Sequence, residues 1–119
     1  MNVAVIGASD NPEKYSNQAV CFLLEKGHRV FPVNPSGKPV ENLTTYRSIS
    51  EISEPIDTVT LYVSKPVSSQ IASDLFAKKP RRIIFNPGAE NPDLEHQARQ
   101  KGIVVQEACS LVLLRTNQF

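Results

Sequence analysis

The sequence predicts an α/β domain: a five-stranded parallel sheet with helices packed on both faces, in three layers. Three observations carry this. Short apolar runs rich in β-branched residues alternate with stretches of helical spacing along the whole chain, as buried parallel strands joined by crossover helices require. The first four runs lead into loops of small, proline, asparagine or lysine residues. The length of 119 residues, with 40% hydrophobic and 21% charged side chains, suits one soluble domain with a real core. Right-handed crossovers then make residues 1–119 a single Rossmann-like domain.

The elements follow in order. Val3 to Ile6 is a first strand buried on both faces, ending at Gly7. Asn17 to Lys26 reads as an amphipathic helix with Val20, Leu23 and Leu24 on one face and Gly27 as its stop. Arg29 to Val33 is the second strand, closed by Asn34-Pro35. Ser36 to Glu54 is polar and turn-rich, with a short helical turn near Ser48 to Ile52. Asp57 to Val63 is the third strand, and one helix opens at Ser64-Lys65-Pro66, with Val67, Ile71, Ala72 and Leu75 as its buried stripe. Arg81 to Phe85 is the fourth strand. Asn91 caps the next helix, which has Pro92 and Asp93 in its first turn and ends at Gly102. Ile103 to Val105 is the fifth strand, and the apolar tail Ala108 to Leu114 packs in a form the pattern leaves open.

Several function classes are excluded by composition. A formal net charge of +1 gives no bulk attraction to nucleic acid or to an acidic membrane surface, so an anionic ligand must be held by local geometry. No run approaches membrane-spanning length, and no basic region followed by an apolar segment opens the chain. Cys21 and Cys109 fit neither a disulfide framework nor a zinc site. The expectation is a cytoplasmic protein. No serine elbow, cysteine–histidine pair or metal-ligand cluster is present, so no catalytic set is expected. Glu90 lies in a ligand loop without an evident partner, and His28 and His96 read as exposed and inert.

In parallel α/β sheets ligands bind beyond the carboxyl ends of the strands. Here that edge carries the loops Gly7 to Ser16, Asn34 to Lys38, Val63 to Pro66 and Asn86 to Glu90. A strand, a small-residue loop and a helix start suit a phosphate held by backbone amides. The dinucleotide motif GxGxxG is not met, because Ser9 and Pro12 stand where its second and third glycines belong. The acid that NAD sites keep at the end of the second strand is replaced by Asn34. Both departures disfavour an NAD(P)-dependent enzyme.

Four motifs in order carry a resemblance: GASDNPEK after strand one, PVNP at the end of strand two, YVSKP after strand three and NPGAEN after strand four. Together they resemble the small CoA-binding domain family, itself similar to the N-terminal CoA-binding domain of the succinyl-CoA synthetase α subunit. The resemblance implies a bound coenzyme A lying across the strand ends. It implies that Gly7, Ala8 and Ser9 lie against the phosphates, that Asn34, Pro35 and Lys38 flank the nucleotide end, and that Val63, Ser64 and Lys65 border the adenine and ribose. Pro87 and Gly88 then face the pantetheine arm. Ser64 makes its motif one residue longer than the family form, which bears on where Lys65 points. Coenzyme A carries a pyrophosphate and a 3′-phosphate, so oriented amides and one or two cations are needed; Lys14, Lys38 and Lys65 stand in three of the four loops. Taken singly, each lysine also reads as a solvated surface charge and Pro87-Gly88 as a plain turn.

The reading is therefore a non-catalytic domain binding coenzyme A or an acyl-CoA, with no protein partner named by the sequence. The alternatives are an NAD(P) enzyme and an interaction module that has lost its ligand. Three further expectations follow. Gly7→Val removes binding without unfolding, Lys38 and Lys65 read the 3′-phosphate, and Cys109 lies near enough to the carboxyl edge to meet the ligand's thiol.

Overall fold

A computed structural model describes residues 1–119. Strands β1 (Asn2–Ile6), β2 (Arg29–Val33), β3 (Thr58–Leu61), β4 (Arg82–Phe85) and β5 (Val104–Glu107) form one sheet in the order β2-β1-β3-β4-β5, every pair parallel. The helices are α1 (Tyr15–Glu25), α2 (Lys65–Gln70), α3 (Ala72–Ala77), α4 (Pro92–Gln100) and α5 (Ser110–Arg115), with a 3₁₀ turn at Ile49–Glu51. No helix is long and apolar enough to cross a membrane.

The period-two alternation of β1 divides the core. Val3 and Val5 face a cluster with Val20, Leu23 and Leu114, so α1 and α5 cover that side. Ala4 and Ile6 face the opposite cluster with Ile49, Ile52, Leu75, Leu94 and Ala98, from the 3₁₀ turn, α3 and α4. Helices thus lie on both faces, and the sheet is Rossmann-like. The chain begins in the middle: β1 leads outward to β2, then the chain returns to place β3 on the other flank of β1. That reversal opens a crevice at the carboxyl ends of the central strands.

Several boundaries differ from the sequence reading. The helix after Ser64 is two short helices broken at Ile71 (φ −100°, ψ 8°). The Ser68 hydroxyl donates to its own helix, to Lys65 O at 3.2 Å, a bond that competes with regular helix. Of the predicted stripe only Leu75 is buried, and Val67 is 41% exposed. Leu24 stands outside the buried stripe of α1, which runs Ser16, Ala19, Val20, Leu23. The fifth strand begins at Val104 and reaches Glu107, the third is shorter than expected, and the tail forms α5 against α1.

Candidate functional site

The carboxyl edge is built from the loop after β1 outward. Gly7 has φ +85°, and a Cβ there would stand 2.8 Å from Tyr62 O and 2.9 Å from Val63 Cγ1. The loop therefore lies directly on the end of β3, which only glycine permits. The Gly7 and Ala8 amides both donate to Val33 O, at 3.0 and 3.1 Å, tying the same loop to the end of β2. Asn34 Nδ2 donates to Ala8 O at 2.6 Å, while its Oδ1 accepts from the Ser36 amide at 2.8 Å. Asn17, buried in the first turn of α1, donates to Ser9 O at 2.9 Å, and Ser9 Oγ accepts from the Asn11 amide.

These bonds determine which amides remain for a ligand. Those of Gly7 and Ala8 are engaged, but the amides of Ser9 and Asp10 and of Tyr15, Ser16 and Asn17 have no acceptor in the chain. Lys14 occupies the N-cap of α1 in an extended conformation, makes no capping bond, and no acid follows in the first turn. No acid of the first turn compensates the positive end of this helix, which favours an anion there.

Beside this loop lies a cavity of about 290 Å³. Ile6 and Val33 from the strand ends, with Gly7, form one side; Pro35 and Val63 flank it; Val67 and Ile71 close it from α2 and the helix break; Arg47, Ser48 and Ile49 complete it. The last group is delivered by a return of the chain to the edge of β2. Tyr46 bridges to Val33, its amide donates to Pro32 O at 2.9 Å, and its carbonyl accepts from the Asn34 amide at 2.8 Å. The Arg47 amide donates to Glu51 Oε1 at 2.8 Å, and Ser48 caps the 3₁₀ turn. The Arg47 guanidinium enters no ion pair and lies against Gly37, whose Cβ would be 3.1 Å from Nε.

Of the residues singled out in the sequence, Gly7, Pro35 and Val63 line this cavity. Ala8, Ser9 and Asn34 form the hydrogen-bonded loops beside it, with the Asn34 side chain engaged internally. Lys14, Lys38, Ser64 and Lys65 are exposed and stand outside the cavity wall. Pro87 and Gly88 lie beyond β4, exposed, with the Gly88 amide bonded to Glu90 Oε1 at 3.0 Å. Arg47, Ser48, Val67 and Ile71 were missed. The local signal was there for Ser48, where Ser48-Ile49-Ser50 spells a capped turn, but nothing local directs Arg47 to the end of β2.

A second polar group lies deeper along the same edge. Asn86, 1% exposed, donates to Thr60 Oγ1 at 2.7 Å and Leu61 O at 2.8 Å, and accepts from the Ser110 amide at 2.8 Å. These bonds fix β3, β4 and the start of α5 together. Burial pushes the neighbouring Tyr62 hydroxyl up to about 12, so it stays protonated. Cys109 is the N-cap of α5, on the α1 face of the sheet, whereas the cavity opens on the face of the 3₁₀ turn and α2.

The comparisons agree with this architecture. A solved structure known as an uncharacterized protein superposes with a TM-score of 0.94 at 31% identity, covering 99% of this chain and 97% of its own. The uncharacterized protein YneT of Bacillus subtilis is 24% identical over 108 residues, covering 90% of this chain and 80% of YneT. The acetate–CoA ligase (ADP-forming) II subunit alpha of Pyrococcus furiosus is 35% identical over 84 residues, 70% of this chain but only 18% of the subunit. The family model for the CoA binding domain matches residues 1–115. With a five-stranded parallel sheet, a cavity at its switch point and a match over nearly its whole length, this chain belongs to the CoA binding domain family.

Proposed function

We propose that the chain binds coenzyme A, free or acylated, as a non-catalytic cytoplasmic domain. The observation that carries this reading is the adjacency of a small apolar cavity to a set of unpaired amides at one sheet edge. Ligand sites begin at roughly 300 Å³, so a cavity of about 290 Å³ suits one end of a long ligand, not all of it. Its aliphatic and proline walls fit a purine, and the amides of Ser9, Asp10 and the first turn of α1 fit the diphosphate. The pantetheine arm would then run over the strand ends toward Pro87 and Gly88, as the resemblance implies. The engaged Asn34, in place of an acid, disfavours NAD. Glu90, the acid singled out in the loop after β4, accepts from the Gly88 amide and has no basic partner. Two free thiols fit a reducing compartment.

The test is titration calorimetry with coenzyme A, together with incubation of acetyl-CoA and analysis of the products. Saturable binding of one molecule per chain with acetyl-CoA left intact is the expected result. Thioester hydrolysis above background would make the domain an enzyme, and absent heat would remove the ligand.

A further inference from the structure

We infer that Arg47 is the residue by which this chain selects a phosphorylated ribose, and hence coenzyme A over its dephospho form; the inference rests on the coenzyme A reading above. In the dinucleotide sites of parallel α/β sheets the adenosine ribose lies at the end of the second strand, where an acid accepts its 2′-hydroxyl or an arginine nearby accommodates a 2′-phosphate. The 3′-phosphate of coenzyme A, on the adjacent ribose carbon, calls for the same kind of cation. The residue at that position, Asn34, has both ends of its side chain engaged, toward Ala8 O and the Ser36 amide. The cation comes instead from a segment thirteen positions further on. Tyr46 pairs alongside Val33, so the next residue emerges at the cavity wall immediately beside the end of β2.

Three features fit Arg47 for this task. Its guanidinium has no carboxylate partner, and Glu51 Oε1 accepts from the Arg47 backbone amide. Gly37, at φ +68°, leaves the space the side chain occupies; a Cβ there would press on Nε at 3.1 Å and on Cγ at 3.3 Å. The planar fork of donors matches phosphate oxygens in a way a lysine does not. Lys38 and Lys65, the cations expected to read this phosphate, do not line the cavity. Arg47 lines its apolar wall with its methylenes and holds its guanidinium beside it, against Gly37 of the 34–38 turn. The Lys38 amide is drawn into the 34–38 turn by Ser36 Oγ at 3.3 Å.

The experiment titrates the wild type, Arg47→Ala, Arg47→Gln, Lys38→Ala and Lys65→Ala with coenzyme A and with dephospho-CoA. The wild type should prefer coenzyme A by roughly ten- to hundredfold, the worth of a charge-assisted contact. Both Arg47 variants should lose that preference by weakening coenzyme A alone, and both lysine variants should keep it. The 3′-phosphate phosphorus resonance of bound coenzyme A should shift in the wild type and not in Arg47→Gln. A defect of folding would weaken both ligands alike, so the ratio within each variant still reads the phosphate. A wild type that binds both ligands equally, or an Arg47 variant that retains the preference, overturns this inference and leaves the coenzyme A reading standing. A wild type that binds neither ligand overturns the reading itself, and the inference with it.

Discussion

Asparagine, more than lysine, organises the ligand edge at the scale of single residues. Asn34 joins the loops after β1 and β2, Asn86 joins β3, β4 and α5, and Asn91 caps α4 while donating to Ser68 Oγ at 2.9 Å and Ser69 Oγ at 3.0 Å. A primary amide both donates and accepts, so it can satisfy two loops at once where a lysine cannot. Gly7 has a similar structural duty. The Cβ of alanine would meet Tyr62 O, and the left-handed φ adds its own strain. Gly7→Ala should therefore lower unfolding free energy by about 2 to 4 kcal/mol in urea titration. A loss under about 0.5 kcal/mol, the range of neutral surface changes, would show that the loop relaxes freely. The expectation that Gly7→Val separates binding from folding is corrected accordingly: the larger side chain strikes the end of β3. Cys21 gives a second prediction. Partial burial, with Glu41 Oε1 accepting from Sγ at 2.9 Å and its charge beside it, pushes the thiol up to about 11. Its thiolate fraction near neutrality is therefore about a hundredfold below that of an ordinary cysteine. In a Cys109→Ser background, iodoacetamide should modify Cys21 far more slowly than a peptide cysteine, and Glu41→Gln should speed the reaction. Equal rates with and without the Glu41 carboxylate would contradict the assignment.

Among the elements, α1 is the one whose stability the coenzyme A reading sets against binding. Its first-turn amides have no acceptor and its cap is a lysine, a poor choice for a helix that only needs to be stable. Lys14→Asp should raise stability by about 0.5 to 1 kcal/mol in thermal denaturation while weakening coenzyme A, because the new carboxylate occupies the anion's place. Tighter binding in that variant would show that the α1 terminus does not face the diphosphate. The elements also show what a sequence discloses. β1, β3 and β4 were legible because each is rich in β-branched residues, and α4 because Asn91-Pro92-Asp93 spells a helix start. The break at Ile71 was not legible. Val67, Ile71 and Leu75 continue a helical spacing straight through it, while the Ser68 hydroxyl of the preceding turn bonds Lys65 O and accepts from Asn91, 23 positions away, contacts no local pattern encodes. Arg47 was hidden for the same kind of reason. It reaches the cavity through the pairing of Tyr46 with Val33, a contact that no local pattern encodes.

Taken whole, the molecule places its cavity where β1 sends the chain to β2 on one side and receives β3 on the other. The segments that meet there come from four parts of the chain, so on the coenzyme A reading a ligand bridging them would hold the native state together. Binding confined to the folded state stabilises it by about 2.7 kcal/mol when free ligand is at a hundred times Kd. Excess coenzyme A should accordingly raise the melting temperature of the wild type. A chain of net charge +1 has little long-range field of its own, so on this reading the loop lysines would serve attraction more than recognition. The most direct test of the central claim is a pair of calorimetric titrations of the wild-type protein under identical conditions, one with coenzyme A and one with NAD. Saturable heat for one coenzyme A per chain, with none from NAD over the same concentrations, is the predicted result; no heat from coenzyme A, or equal binding of NAD, would contradict it.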